Sequence, residues 1–337
     1  MLTVATSKEL DMTLIATIQQ GLNRVWKSDR ALTASALLML AAFAAFLVGL
    51  AIDPRVITGA PAWLKPAKFA VSTAIYMFTL AWVFTYLTEW PRLRRLVGRG
   101  TAAIFIVEVA IIALQAWRGT TSHFNFSTPL NSALFVVMGS AIVVQTVLSA
   151  FVAVALWRQR FQDRALGWAL RLGMVITIAG ASTGGLMTRP TDAQLEQMKA
   201  THQASPIIGA HTVGAPDGGP GIPGTGWSVE HGDIRVGHFI GLHALQLLPL
   251  VAWLLWRRRI DESKRARLMV VAGGSYATLF LILIWQALRG QALFSPDALT
   301  LTALVIWAAL TAGLAVWPFR TRSTRSDAGG ALEWINP

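Results

Sequence analysis

The chain has 337 residues, of which 54% are hydrophobic and only 14% are charged, and its mean hydropathy is +0.52. Soluble domains carry roughly 25% charged residues, so this composition excludes an ordinary soluble protein and predicts an integral membrane protein. With no cysteine in the sequence, disulfides, thiolate metal sites and thiol nucleophiles are excluded. The net charge of +12 is distributed in the manner of a membrane topology signal, so we expect the lipid bilayer as a partner and no nucleic acid.

In chain order, residues 1–30 come first. They carry acids, lack a long apolar core and end in a basic cluster, which predicts an amphipathic segment on the cytoplasmic face and no cleavable signal peptide. Eight apolar stretches follow, each close to the roughly 20 residues that cross a bilayer. They cover residues 31–52, 65–88, 101–117, 129–157, 166–187, 236–256, 268–288 and 299–317. The predicted fold is therefore all-α, with eight transmembrane helices and a tail over 320–337.

The loops between these stretches differ in positive charge. About 21 of the 29 Lys and Arg residues fall in alternate loops and the two termini, which by the positive-inside rule places both termini in the cytoplasm of a bacterial inner membrane. This topology puts all six histidines on the outer side. They are His123, His202, His211, His231, His238 and His243.

The same side carries a long loop over residues 190–235. Its segment "GAPDGGPGIPGTGW" (Gly214–Trp227) is too rich in glycine and proline for a regular element. Connections of this length are uncommon unless they have a role, so we expect a lid over an outward-facing pocket.

Short motifs recur in the same order in residues 31–157 and 158–319. "DRAL" precedes the first and fifth helices, "QAWRG" (Gln115–Gly119) ends the third, and "QALRG" (Gln286–Gly290) ends the seventh. "KPAKFAVST" aligns with "RVGHFIGLH", which pairs Lys68 with His238. These matches predict two parallel four-helix repeats related by a pseudo-two-fold axis along the membrane normal.

Glu108 is the only acid within a predicted span, and the repeat pairs it with Leu279. An intramembrane carboxylate is a functional candidate, so we expect Glu108 to act as a catalytic or coupling proton acceptor, as an ion ligand or as a hydrogen-bonded neutral acid. His238 and His243 are five residues apart, about 140° around a helix. They face one site only if the helix is broken, which Gly241 and Pro249 would permit.

The outer side also holds cations in a region where positive charge is normally avoided. Arg118 and Arg289 occupy repeat-related positions, and Lys68 and Arg235 lie near the start of the second and sixth helices. Guanidinium groups bind carboxylates and phosphates bidentately, so these cations predict an anionic small molecule or the acidic groups of a cofactor as partner.

The duplicated eight-helix plan, with His238 and His243 near the outer face, resembles the heme A synthase family, in which two four-helix bundles present histidine pairs to heme. That family carries histidines on the even-numbered helices. Here the sixth helix has them, and the second, fourth and eighth do not. The segment "GLHALQ" also resembles bacterial multi-pass membrane proteins in general. The resemblance implies heme at the outer face, with His238 or His243 as a ligand and His123 as a possible second ligand.

Three hypotheses stay open at this point. The first is an outward-facing pocket lined by histidine and arginine that binds heme or another redox cofactor. The second is a transporter or lipid-handling protein for an anionic substrate, with Glu108 coupled to protons. The third is a metal-dependent membrane enzyme with His123, His211 and His238 as ligands, and His231 nearby.

Overall fold

A computed structural model describes residues 7–320, with side chains described for 16–319. The predictions for residues 1–6 and 321–337 lie outside the described residues. The helices are α1 (Ser7–Ser28), α2 (Arg30–Ile52), α3 (Leu64–Phe84), α4 (Pro91–Trp117), α5 (Pro129–Arg158), α6 (Arg164–Ser182), α7 (Gly184–Met187), α8 (Asp192–Thr201), α9 (Ile234–Leu242), α10 (Ala244–Arg257), α11 (Glu262–Leu288) and α12 (Ala298–Arg320). Two antiparallel strand pairs complete the described structure, β1 (Val56–Ile57) with β2 (Ala60–Pro61) and β3 (Thr212–Val213) with β4 (Gly232–Asp233).

Seven of the described helices are long and apolar enough to cross a membrane. They are α2, α3, α4, α5, α11, α12 and the segment Arg164–Thr201, which contains α6, α7 and α8. The bent pair α9 and α10 makes an eighth span if it is counted as one. These lengths and compositions confirm a multi-pass helical membrane protein. The orientation in the membrane and the duplication stay predictions.

The predicted span boundaries need three corrections. Span 65–88 ends at Phe84, because the chain turns there and leaves the helix. Span 166–187 is interrupted at Thr183 between α6 and α7, and span 236–256 is interrupted at His243. The long loop is also not free of regular structure, since it contains α8.

The interruption at His243 bends the sixth span by 50°. Backbone groups freed by a break must find partners inside the membrane, where no water is available to satisfy them. The Thr177 hydroxyl of α6 provides this, since it donates to the carbonyl of Leu242 (3.3 Å) and accepts from the N–H of Leu245 (3.2 Å). One side chain of a neighbouring helix therefore satisfies both ends of the break.

The neighbours of each helix follow the same order in both halves. In residues 31–157, α2 packs on α3 and α4, α3 packs on α4, and α4 packs on α5. In residues 158–319, α6 packs on α9–α10 and α11, α9–α10 packs on α11, and α11 packs on α12. Helices α5 and α6 join the halves. Both α4 and α11 also end in a glycine with positive φ, +73° at Gly119 and +75° at Gly290.

Residues 190–233, which we call the lid, pack across the ends of both halves. Toward the first half, the N–H of Phe126 donates to Pro206 O (2.8 Å) and the N–H of Ile208 donates to Phe124 O (3.0 Å). Toward the second half, the N–H of Ala210 donates to Met187 O (3.0 Å). The lid thus covers one end of the helices, called the lid end below.

The crossing of α6 and α9 at Gly180 and Gly241 has no room for side chains, since a Cβ on Gly180 would lie 2.6 Å from the carbonyl carbon of Gly241. We expect Gly180→Ala to destabilise the protein by about 1–3 kcal/mol, because overpacking forces the two helices apart. The measurement is the thermal unfolding temperature of the purified protein. Gly139→Ala is the matched control, since a Cβ there meets nothing within 4 Å. An equal unfolding temperature for the two variants would contradict the close crossing.

Candidate functional site

The turn between α4 and α5 carries the first group of polar residues at the lid end. Phe124 has a φ of +61°, a left-handed conformation that costs a residue other than glycine about 1–3 kcal/mol. The surroundings hold it there, because Phe124 is buried against the rings of Phe135 (5.7 Å) and His211 (4.9 Å). This strained turn places His123, its neighbour in the chain, toward the interior.

His123 and Glu108 lie next to each other in the described site. The Nε2 of His123 lies 3.8 Å from Oε1 of Glu108, which is too long for a direct hydrogen bond. The Glu108 side chain is 3% exposed, and its other oxygen, Oε2, has no hydrogen-bond partner among the described residues. Ser122 Oγ lies 3.0 Å from His123 Nδ1, and Phe69 packs edge-on against the ring. The Glu108 carboxylate can therefore accept a further hydrogen bond through Oε2.

Lys65, at the start of α3, contributes the positive charge nearest to this pair. Its charge is attracted by Glu108 and also acts on His123. Its Nζ lies 5.9 Å from the centre of the Phe69 ring, and no described residue accepts a hydrogen bond from it. An ammonium group placed in this way is available to an anion.

His211 and Asp217 form a short hydrogen bond within the lid. The Nδ1 of His211 lies 2.5 Å from Asp217 Oδ2, and the Asp217 carboxylate also accepts the N–H groups of His211 and Thr212. Burial alone would raise the pKa of Asp217, but these hydrogen bonds and the His211 charge hold it well below its ordinary value. Burial lowers the pKa of His211, and Asp217 opposes that effect.

His238 and His243 face different surroundings. The Nδ1 of His238 lies 2.8 Å from Gly180 O, and because a carbonyl only accepts, Nδ1 carries the proton and Nε2 keeps a lone pair. His243 instead packs against the ring of Phe239, at 4.2 Å between centroids, beyond the helix break. Of the two, His238 is the one that interacts electrostatically with His123 and His211.

The cations singled out in the sequence are largely engaged by the protein itself. Arg118 donates to Gln115 Oε1 (2.6 Å) and Asn131 Oδ1 (2.9 Å), and Arg289 pairs with Asp297 at the repeat-related position. These two arginines stabilise the turns after α4 and α11, so the expectation that they face a cofactor is not supported by their contacts.

Lys68 and Arg235 bind the lid. Lys68 Nζ donates to Thr225 O (2.8 Å), and Arg235 bonds to Asp233 (2.5 Å) and to Gly226 O (2.6 Å). A cavity of about 300 Å³ lies within the lid and is lined in part by Asp217, His231 and Arg235. Lys68 and Arg235, which the sequence predicts to bind an anion, therefore hold the lid in place.

The histidines expected to bind a metal do not form a preassembled site. His123, His211 and His238 approach one another around the lid end, but within the described part of the chain no three His, Asp or Glu residues are grouped closely enough to hold a metal ion. Metal binding by this set would need a rearrangement of the lid.

Four residues central to this geometry are not among the site residues that the sequence predicts. They are Lys65, Asp217, Thr177 and Phe124. Asp217 follows His211 by six residues in "HTVGAPD", which is a detectable signal for a local polar pair. The positive φ of Phe124 and the bridging role of Thr177 leave no pattern in the sequence.

The buried position of His123 predicts that the folded protein becomes less stable in acid. Burial lowers the pKa of His123 well below its ordinary value of about 6.5, and the charges of Lys65, His211 and His238 lower it further. The unfolded chain therefore binds more protons than the folded protein, so stability is lost as the pH falls below about 6.5 toward the folded pKa. We expect the unfolding temperature to decrease over this range and to decrease less in His123→Gln. The exposed His202→Gln is the control, and an identical pH slope in all three proteins would refute this origin.

Comparisons with known proteins do not assign this site. No protein-family model matches the chain, and no curated protein or solved structure matches it either. A function must therefore be argued from the residues of the site.

Proposed function

We propose that this membrane protein binds a small carboxylate or phosphate anion at the lid end and couples its binding and passage to protonation of Glu108. The observation that carries the proposal is the buried Glu108 carboxylate, with Oε2 unpaired among the described residues, beside His123 and the uncommitted ammonium of Lys65. Ionisable residues inside membrane spans are costly and are typical of ion pathways and proton relays.

The charges explain why proton and anion would bind together. With Lys65 protonated and Glu108 ionised, the pair is electrically balanced and has little attraction for an anion. Protonation of Glu108 removes the negative charge and leaves Lys65 to attract the anion. His123, whose Nε2 lies 3.8 Å from Glu108 Oε1, would pass the proton after a small side-chain movement that brings the two atoms to hydrogen-bond distance.

The lid supports the same proposal, because it covers these residues with polar contacts that can open and close. Lys68 and Arg235 hold the lid through carbonyl groups at Thr225 and Gly226. An anion that attracted either cation would compete with these bonds and loosen the lid. Substrate entry would in this way be linked to lid opening.

Heme or metal binding is a second candidate, and His238 favours it. A ring held by a carbonyl at Nδ1 with a free Nε2 is the usual arrangement of a metal-ligating histidine. The surroundings favour heme less, since Arg118 and Arg289 are bound to protein groups and His243 packs against the ring of Phe239. We expect the Soret band of added heme not to shift when the purified protein is mixed with it. A shift that is lost in His238→Ala would establish this candidate instead.

The anion proposal is tested by calorimetric titration of the purified protein with inorganic phosphate and with lactate, at several pH values and in buffers of different ionisation enthalpy. We expect tighter binding at lower pH, with uptake of about one proton per anion, because Glu108 must be neutral when Lys65 binds the anion. Glu108→Gln should bind the anion without proton uptake.

Lys65→Met should lower the affinity about tenfold or more, the usual effect of removing a charged hydrogen-bond partner. Lys199→Met, an exposed lysine on α8 at the same end of the protein, is the matched control and should bind like the unmodified protein. Absence of binding for both anions, or binding with no dependence on Lys65 and no proton uptake, would overturn the proposal.

A further inference from the structure

A second group of buried polar residues lies deeper in the first half, below Glu108. Tyr76 of α3 makes a 3.0 Å hydrogen bond with Ser149 Oγ of α5, and Gln145 Nε2 donates to the same oxygen (3.3 Å). Tyr76 also packs edge-on against Phe105, which lies one helical turn from Glu108 on α4. Ser149 and Gln145 are buried. A polar cluster therefore begins about one turn farther from the lid than Glu108.

Thr101 extends this cluster along α4. It lies seven residues before Glu108, which places it on the same helix face and about 10.5 Å farther from the lid. A Cβ on the adjacent Gly100 would approach Leu148 within 2.8 Å, so Thr101 lies at the level of Ser149. Thr101 is fully buried, and its hydroxyl has no hydrogen-bond partner among the described residues.

Asp29 lies at the end of this row of polar residues that is farthest from the lid. The Asp29 carboxylate caps α2 by accepting the N–H of Leu32 (2.9 Å), and it lies against Gly98, three residues before Thr101. Arg94 and Arg99 act on its charge from the start of α4. Burial raises the pKa of Asp29, and the Leu32 and Ala31 N–H groups together with the two arginines oppose this effect. A carboxyl group is thus present near each end of the line.

Several polar atoms along this line are buried without a partner among the described residues. They include Glu108 Oε2, Gln145 Oε1, Thr101 Oγ1 and, near Asp29, Ser28 Oγ and Arg94 Nε. A buried polar atom left unpaired costs about 1–3 kcal/mol, and buried waters commonly satisfy such groups. These atoms belong to α1, α4 and α5, and water molecules held between these helices would satisfy them.

We propose that the interior of the first half, between α3, α4 and α5, is a hydrated proton path that joins Glu108 to Asp29 through Tyr76, Gln145, Ser149 and Thr101. The proposal rests on the role of Glu108 in the proposed function and adds the route by which its proton reaches the end of the protein opposite the lid. Each transfer breaks one O–H bond and forms another between a carboxyl group, a hydroxyl group or water. No oxidation or reduction takes part. Gln145 orients water and does not itself carry the proton.

The test measures proton flux into liposomes that contain the purified protein and a trapped pH-sensitive dye, in phosphate buffer, with a potassium diffusion potential as driving force. Tyr76→Phe, Gln145→Leu and Thr101→Val each remove one polar group at nearly constant volume. We expect each to lower the flux about tenfold or more, as for loss of a group that transfers or positions a proton. Thr146→Val is the matched control, because the Thr146 hydroxyl bonds only to its own helix, at Ile142 O, outside this line.

A second measurement separates the path from the proposed function. The infrared carbonyl band of protonated Glu108, assigned by its loss in Glu108→Gln, reports protonation in detergent, where no transmembrane path is needed. An unchanged band with a reduced flux in the three path variants supports the path. Full flux in those variants, or no flux in the unmodified protein, overturns the path and leaves the proposed function standing. A Glu108 that does not titrate overturns both. Should Thr101→Val fail to fold, Tyr76→Phe decides the outcome.

Discussion

A polar group inside a membrane is shielded from bulk water, so it must bond to protein or to trapped water, and this constraint governs the structure. Backbone groups meet it through long helices, and where a helix is interrupted a neighbouring side chain must replace the lost bonds. Thr177 does so at the break between α9 and α10, where its hydroxyl bonds to Leu242 and Leu245. His238, before the break, bonds to Gly180 O, and His243, at the break, packs against the ring of Phe239.

The same constraint makes buried polar groups without a protein partner candidates for a functional role. Glu108, Gln145 and Thr101 each have an unpaired atom among the described residues, and all three lie in the first half. The predicted repeat pairs Glu108 with the apolar Leu279 and Lys68 with His238. The two halves thus share an order of helix packing but differ in the chemistry of their interiors. This difference agrees with an asymmetric function, in which the first half handles the proton and the second supports the lid.

The lid contacts the first half at a residue with a strained backbone conformation. Phe124 adopts a left-handed backbone conformation, and its carbonyl accepts the N–H of Ile208 in the lid. The cost of that conformation is offset by aromatic packing against Phe135 and His211. His123, the preceding residue in the chain, is therefore one residue away from a backbone contact with the lid. Strain of this kind is common at functional sites.

The sequence by itself determined the class of protein, the number of its candidate spans and several of their helix ends, because membrane burial leaves a long, strong apolar signal. It also identified Glu108 as the acid inside a span and expected His238 and His243 to point in different directions unless the helix breaks. Only the tertiary structure decided that Arg118 and Arg289 stabilise turns and that the charge of Lys65 acts on Glu108 and His123, whereas the six-residue spacing of His211 and Asp217 is a local signal for the bond between them. The interaction of Lys65 depends on the packing of α3 against α4, which brings together residues far apart in the chain. No local pattern records such contacts, since each requires only that two distant residues have compatible size and polarity.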